Sequence, residues 1–164
     1  MRLDIACGQR TQPGYTGIDL WPHADIVHDL FVYPWPIETG TVEAAYVSHF
    51  VEHIPHWRPG WAKDGWWLFW EEVQRILLPR AKIIVIHPFL KTVRAFQDPT
   101  HERFIPTETW SYLSAAWRRE AGLDHYDTDV DFTMTQIRSR GTSNEFVPDY
   151  WDSLMDIEVE LQRE

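Results

Sequence analysis

Residues 3–20 read LDIACGQRTQPGYTGIDL, and the fold turns on how that stretch divides. An apolar run ends near Gly8, a short polar loop follows, and a second apolar run ends at Asp19 and Leu20. Residues 3–6 and 15–20 therefore read as two buried strands joined by a tight connection. A glycine after a strand lets the backbone approach a ligand closely. An acid at the end of the next strand can accept both hydrogen bonds of a ribose diol. An aspartate there is equally a turn-former that binds its own backbone, so the pair alone leaves both readings open.

The pattern repeats further along. Residues 24–29 (ADIVHD) end in Asp29, which can accept a proton from the amino group of a purine edge, and residues 42–48 (VEAAYVS) end at Ser48 before His49. Residues 31–36 (FVYPWP) cannot be a helix, because Pro34 and Pro36 remove donors and fix φ. Residues 49–54 read as a short turn or helix broken by Pro55. Residues 65–78 (GWWLFWEEVQRILL) form the clearest helix, with Leu68, Val73, Ile76 and Leu77 on its apolar face and Pro79 as its stop. Residues 81–87 (AKIIVIH) read as a strand buried on both faces. A second helix is expected over 107–120, with Pro106 and Thr107 at its start and Gly122 past its end. Strands at 129–137 and 157–161 follow, separated by an irregular, aromatic-containing loop. This order predicts an α/β fold: a mostly parallel twisted sheet with an antiparallel last strand and helices on both faces. Ligands of such sheets bind beyond the carboxyl ends of the strands, where Gly8, Asp19, Asp29 and Ser48 all fall.

Composition narrows the function. The 164 residues suit one domain, taken here as 1–164, and no run of 18 apolar residues suggests a membrane span. The chain opens without the apolar stretch of a signal peptide, and Cys7 is the single cysteine. No intrachain disulfide can form, and the cytoplasm is the expected compartment. The net charge is -10, from 15 basic and 25 acidic residues, which disfavours nucleic acid as a partner unless basic side chains gather on one face. Arg118 with Arg119, and Arg138 with Arg140, are the close basic pairs, and acids surround both. The ten Trp residues are expected mostly in the core, with those near FVYPWP and Trp57, Trp61, Trp66 and Trp67 able to wall a pocket. This balance leaves a small molecule, a sugar, a lipid-like compound or a protein side chain as partner, with a small molecule favoured; oligomeric state is not legible.

The segments LDIACG, GYTGIDL, ADIVHDL, PWPIETGTVEAAYVSHFVEHI, EEVQRILLP, IIVIHP and DPTHERFIPTETW, in that order over roughly residues 3–113, carry a resemblance. The chain resembles the class I S-adenosylmethionine-dependent methyltransferases, a Rossmann-like family, in the small type-11-like subgroup whose first crossover is short. The resemblance implies S-adenosyl-L-methionine as cofactor and methyl transfer to an acceptor it does not identify, for which the charge balance favours a small molecule. It makes Asp4, Ala6, Cys7 and Gly8 the first cofactor motif. Asp19 with Leu20 becomes the ribose site, and Asp29 with Leu30 lies beside the adenine. Ser48 and His49 fall near the methionine end. Of the family motif's three glycines only Gly8 remains, with Ala6 and Arg10 in the other places, and the family's Pro-Gly-Gly turn is Pro79-Arg80-Ala81. Residues 98–103 (DPTHER) follow the strongest strand, where the fold places acceptor contacts. His101 is the expected base, since imidazole titrates near neutrality. His53, beside Glu52, is the weaker candidate. Asp98 and Arg103 are placed on the acceptor, where Arg103 can pair with Asp98 or hold an anionic group.

Two rivals stand beside this reading. His49-Phe50-Val51-Glu52-His53 matches H-x-x-E-H, which on a helix puts two imidazoles on one face for zinc. Pro55 and the strand-like VEAAYVS leave that motif too little helix, so no metal is assigned. The eroded glycine motif supports the other rival, a catalytically silent cofactor-binding or interaction domain of the same fold.

Overall fold

The computed structural model describes residues 1–141 and 154–164. Seven strands lie in one sheet in the order β3-β2-β1-β4-β5-β7-β6. They are β1 (Arg2–Ile5), β2 (Thr16–Asp19), β3 (Ile26–Val27), β4 (Val42–Ser48), β5 (Leu77–Pro88), β6 (Phe132–Gly141) and β7 (Leu154–Arg163). The first five run parallel to one another, and β7 is antiparallel to both β5 and β6. The helices are α1 (Gly65–Ile76), α2 (Arg94–Gln97) and α3 (Ala115–Glu120), with 3-10 segments at Val51–His53 and Thr107–Leu113. The mostly parallel α/β sheet expected from the sequence is thus present. Most of the aromatic-containing loop expected between the last two strands lies outside the described residues.

The register aligns Leu3, Ala45, Ile83 and Leu161 in one row and Ile5, Val47, Val85 and Val159 in the next, all buried. Helix α1 packs into the same core through Trp66, Phe69, Trp70, Val73 and Ile76. That spacing of three and four residues gives one buried stripe. Leu68, expected on that stripe, is only half-buried, because the indoles at 66 and 70 define the face. Asp64 starts α1 by accepting the Trp66 N–H at 2.8 Å.

Several expectations need correction. Pro79 does not stop α1: the helix ends at Ile76, and Leu77 already begins β5, so the proline sits inside that strand's early residues. A shift in the β4–β5 register between Val42 and Ala44 absorbs the irregular stretch. The helix expected over 107–120 is split, because Ser114 is extended and its Oγ caps α3 by accepting the Trp117 N–H at 3.3 Å. Helix α2 carried no periodic signal, being only four residues long. Right-handed crossovers running outward from β1 and then back to β4 and β5 fall on opposite faces. The connections from β1 to β2 and from β2 to β3 contain no helix. On the face they serve, Ala44, Tyr46 and Ile84 are half-buried and Lys82 is exposed, paired with Glu160 at 2.9 Å.

The ten-residue link from β1 to β2 is shorter than the dozen or more that parallel neighbours usually need. It works because Gly17 has no side chain: a Cβ there would stand 2.5 Å from Thr11 Oγ1 and 2.6 Å from Cys7 Sγ. The turn lies directly on the bare backbone of β2.

Candidate functional site

The strand-end residues named from the sequence gather at the carboxyl edge of β1, β2 and β3, and the backbone turn between β1 and β2 organises them. Asp4 is buried, and its Oδ2 accepts the Gln12 N–H at 2.7 Å. Loss of solvation pushes its carboxyl above the usual range, with Asp19 adding to the effect and the Gln12 N–H opposing it. Ala6 and Gly8 both adopt left-handed conformations, φ 58° and 56°. The Ala6 and Cys7 N–H groups both point at Ile18 O, at 2.9 and 3.4 Å. Burial likewise raises the Cys7 thiol, keeping it protonated.

Asp19 is the hub. Its Oδ2 accepts the Gly8 N–H at 2.9 Å and its Oδ1 accepts the Trp21 N–H at 2.7 Å. A carboxylate has about four acceptor positions, so one on each oxygen is left for a ligand. The turn-forming role that the sequence posed for this acid is thus present, and acceptor positions stay open on the same side chain. Leu20 beside it is 66% exposed and Trp21 39% exposed, an apolar shelf next to the acid. On the following loop, Asp29 Oδ1 accepts the Phe31 N–H at 2.9 Å and Oδ2 faces Arg58 Nη1 at 3.4 Å.

Two residues assigned to the cofactor do not reach this rim with their side chains. Leu30 is 4% exposed and belongs to the core, its carbonyl accepting the Trp35 indole N–H at 3.0 Å. Asp4 serves the turn from beneath. Conversely, Arg58 escaped the sequence reading, since a lone arginine between Trp57 and Pro59 carries no pattern. Its guanidinium lies 4.2 Å from the centre of the Phe31 ring. Phe31 in turn stacks on Phe50 at 5.3 Å and meets Trp61 edge-on at 6.3 Å. Phe31 and Trp61 thus wall the rim, while Trp66 is buried in the core and Trp57 is exposed.

At the end of β4, Ser48 is half-buried and His49 turns left-handed, φ 53°, donating its N–H to Ile86 O at 2.8 Å. Its imidazole stands between Asp156, 3.6 Å from Nε2, and Glu52, 3.5 Å from Nδ1. Asp156 and then Glu52 raise its pKa to about 9. Asp156 comes from β7, at the other end of the chain, with no sequence signal to pair it with His49.

The H-x-x-E-H geometry does not form. Only Val51–His53 is helical, as a single 3-10 turn, so His49 faces Asp156 while His53 faces Thr100. His101, on the 98–103 loop, stands against His53 with ring centres 4.7 Å apart, and its Nδ1 lies 2.9 Å from Ala95 O. Asp98 Oδ1 accepts both the N–H and the hydroxyl of Thr100, at 2.8 and 2.6 Å, which holds its carboxyl below the usual range. Arg103 is a brace rather than a free anchor. Nε donates to Ile54 O at 2.7 Å, and Nη2 to Pro55 O at 3.0 Å and Asp64 at 2.6 Å. It pairs with Asp64, not with Asp98. A cavity of about 730 Å³ with Trp66, Trp67, Tyr112 and Tyr126 in its walls lies beside Arg103, away from the β1–β3 rim.

Arg118 is buried on the carbonyls of Tyr112 and Val130, while Arg138 and Arg140 face Glu158 at 3.7 and 3.5 Å. Among the described residues no helix is long and apolar enough to cross a membrane.

No family model and no curated protein matches the sequence. Solved structures do match the fold. A SAM-dependent methyltransferase from Archaeoglobus fulgidus superimposes with a TM-score of 0.59 at 14% identity, over 99% of this chain and 85% of that one. One from Methanosarcina mazei gives 0.59 at 14% identity, over 99% and 91%. One from Mesorhizobium loti gives 0.54 at 12% identity, over 99% and 90%.

Proposed function

The chain has the Rossmann-like fold of the class I S-adenosylmethionine-dependent methyltransferases, and we propose that it binds S-adenosyl-L-methionine at the β1–β3 rim and transfers its methyl group to a small-molecule acceptor. The observation that carries the reading is Asp19: a half-buried carboxylate, fixed by one backbone N–H on each oxygen and still able to accept from a ligand. Its orientation is set before a ligand arrives, which lowers the ordering cost of binding. Asp19 would take the ribose diol, Leu20 and Trp21 the adenine face, and Asp29 the purine edge. The turn at Ala6, Cys7 and Gly8 would run under the sugar, with Ser48 and His49 towards the amino-acid end.

The cofactor supplies a methyl group already activated on a sulfonium. The chain's own work is to align an acceptor about 3 Å from that methyl and exclude water. An acceptor hydroxyl or thiol must also lose a proton. In the metal-free chain that task falls to His101. Its Nδ1 faces a carbonyl and must donate to it, so Nε2 carries the lone pair.

Calorimetry with S-adenosylmethionine and S-adenosylhomocysteine tests the proposal. Binding that Asp19→Ala weakens at least tenfold, about 1.4 kcal/mol, supports it; unchanged affinity in the variant removes Asp19 from the site. One observation favours a silent binding domain as second reading. The Gly8 N–H is engaged by Asp19 and no helix N-terminus follows β1, so the usual anion-holding donors at that turn are absent. Tight binding without turnover on any acceptor would select it.

A further inference from the structure

Beside the rim lies a cluster that neither the sequence motif nor the methyl-transfer reading accounts for. Glu52 is 2% exposed, and neither carboxylate oxygen has a hydrogen-bond partner among the described residues. The nearest cation, His49 Nδ1, is 3.5 Å from Oε1. A buried carboxylate without donors is costly, and a cation is the usual remedy.

The two imidazoles beside it are fixed in a matching state. His101 Nδ1 lies 2.9 Å from the carbonyl of Ala95, which can only accept, so Nδ1 carries the proton. His53 Nδ1 faces the carbonyl of Thr100 at 3.3 Å and its hydroxyl at 3.1 Å. That hydroxyl donates to Asp98 at 2.6 Å and therefore receives from His53. Both rings thus leave Nε2 bare. An outer partner on Nδ1 of this kind, carbonyl or carboxylate-linked, is what orients a histidine towards a metal through Nε2. One ligating atom from each of Glu52, His53 and His101 falls within 4.8 Å of the others. Tetrahedral zinc, with bonds of about 2.0–2.1 Å, asks for roughly 3.4 Å between ligands, a contraction that side-chain rotation can supply.

We propose that Glu52, His53 and His101 form a site for one divalent transition metal ion of the zinc class. Two imidazoles and one carboxylate are a borderline-soft set that suits zinc, and they leave a fourth position for water or an acceptor's oxygen or sulfur. The ion would tie the Val51–His53 turn to the 98–103 loop. The ligand set differs from the H-x-x-E-H motif by exchanging His49 for His101, a partner that chain folding alone provides. The inference does not depend on the methyl-transfer reading, because the ion is assayed without cofactor.

The test is titration of Zn²⁺ into the chelator-stripped full chain, followed by calorimetry and by metal content after gel filtration. One equivalent bound at or below about 1 μM is expected, weakened at least tenfold in His101→Ala and in His53→Ala and changed less than about threefold in His49→Ala. No binding in the parent chain, affinity unchanged in His101→Ala, or loss confined to His49→Ala overturns the proposal. If the variants fail to fold by circular dichroism, Co²⁺ added to the parent chain decides. Intense visible bands of a four- or five-coordinate ion support the site, and the weak bands of the aquo ion refute it. S-adenosylhomocysteine titrated into the same stripped protein reports on the methyl-transfer reading separately, so either can fail alone.

Discussion

The two halves of the sheet are built on opposite terms. From β4 to β7 the strands sit under α1, and the rows Ala45–Ile83–Leu161 and Val47–Val85–Val159 meet a layer of Trp66, Phe69, Trp70 and Trp110. From β1 to β3 the strands are two to four residues long, their crossovers are turns, and backbone N–H groups are held by Asp4, Asp19 and Asp25. One half is ordered by burial of rings, the other by carboxylates bonding the backbone. The lesson is that an acid at a strand end can fix the backbone of a turn without using up its acceptor positions. Where no helix covers a crossover, the same carboxylate shapes the turn and keeps acceptor positions open above it.

The largest effect that would sharpen the contrast is truncation in the aromatic layer. Trp70→Ala should cost about 3–5 kcal/mol in chemical denaturation, whereas Leu20→Ala on the rim should cost less than about 0.5 kcal/mol. Equal losses would break the comparison. Acid comes next. His87 is buried, with Nδ1 on Pro88 O at 3.0 Å and Nε2 receiving the Trp110 indole N–H at 3.3 Å. Burial lowers its pKa to about 4. The unfolded imidazole titrates near 6.5, so between those values the unfolded state binds the extra proton. The contribution is complete above about pH 6.5 and is lost as pH falls towards 4, on the order of 3 kcal/mol. Denaturation midpoints measured across that window should fall with pH, and His87→Gln should flatten part of the slope. On the rim, Asp19→Ala should release the Gly8 and Trp21 N–H groups and cost about 1 kcal/mol of stability besides its tenfold loss of cofactor affinity. The smallest effect runs the other way. Ala6 in the rim half and Arg80 in the packed half stand at φ 58° and 64°. Changing either to Gly should raise stability by about 0.5–1 kcal/mol in the same assay, as left-handed backbone penalises a Cβ.

Those two positions show how much was legible. Ala6 and Arg80 stand where the family resemblance puts glycines, and the backbone keeps the glycine conformation after the glycines are gone. The resemblance therefore pointed at the right turns although the residues had changed. Strand β4 was legible to the residue, because VEAAYVS alternates and then ends at a polar pair. Asp19 and Asp29 were legible because polar residues closing an apolar run mark a strand end. The helix boundaries were not: a strand start before Pro79 and a cap at Ser114 depend on tertiary fit rather than local preference. The partners of His49, His53 and Arg103 were hidden for a plainer reason. Asp156, Thr100 and Asp64 reach them only through the fold, and a single sequence carries no mark of such meetings.

Hydrogen–deuterium exchange with and without saturating S-adenosylhomocysteine tests most directly whether the carboxylate-ordered half is where the ligand lands. Slowed exchange is expected across residues 6–25, greatest at the Gly8 and Trp21 amides that Asp19 holds, with α1 unchanged. No protection anywhere, or protection confined to α1 and the aromatic cavity beside Arg103, would contradict the account.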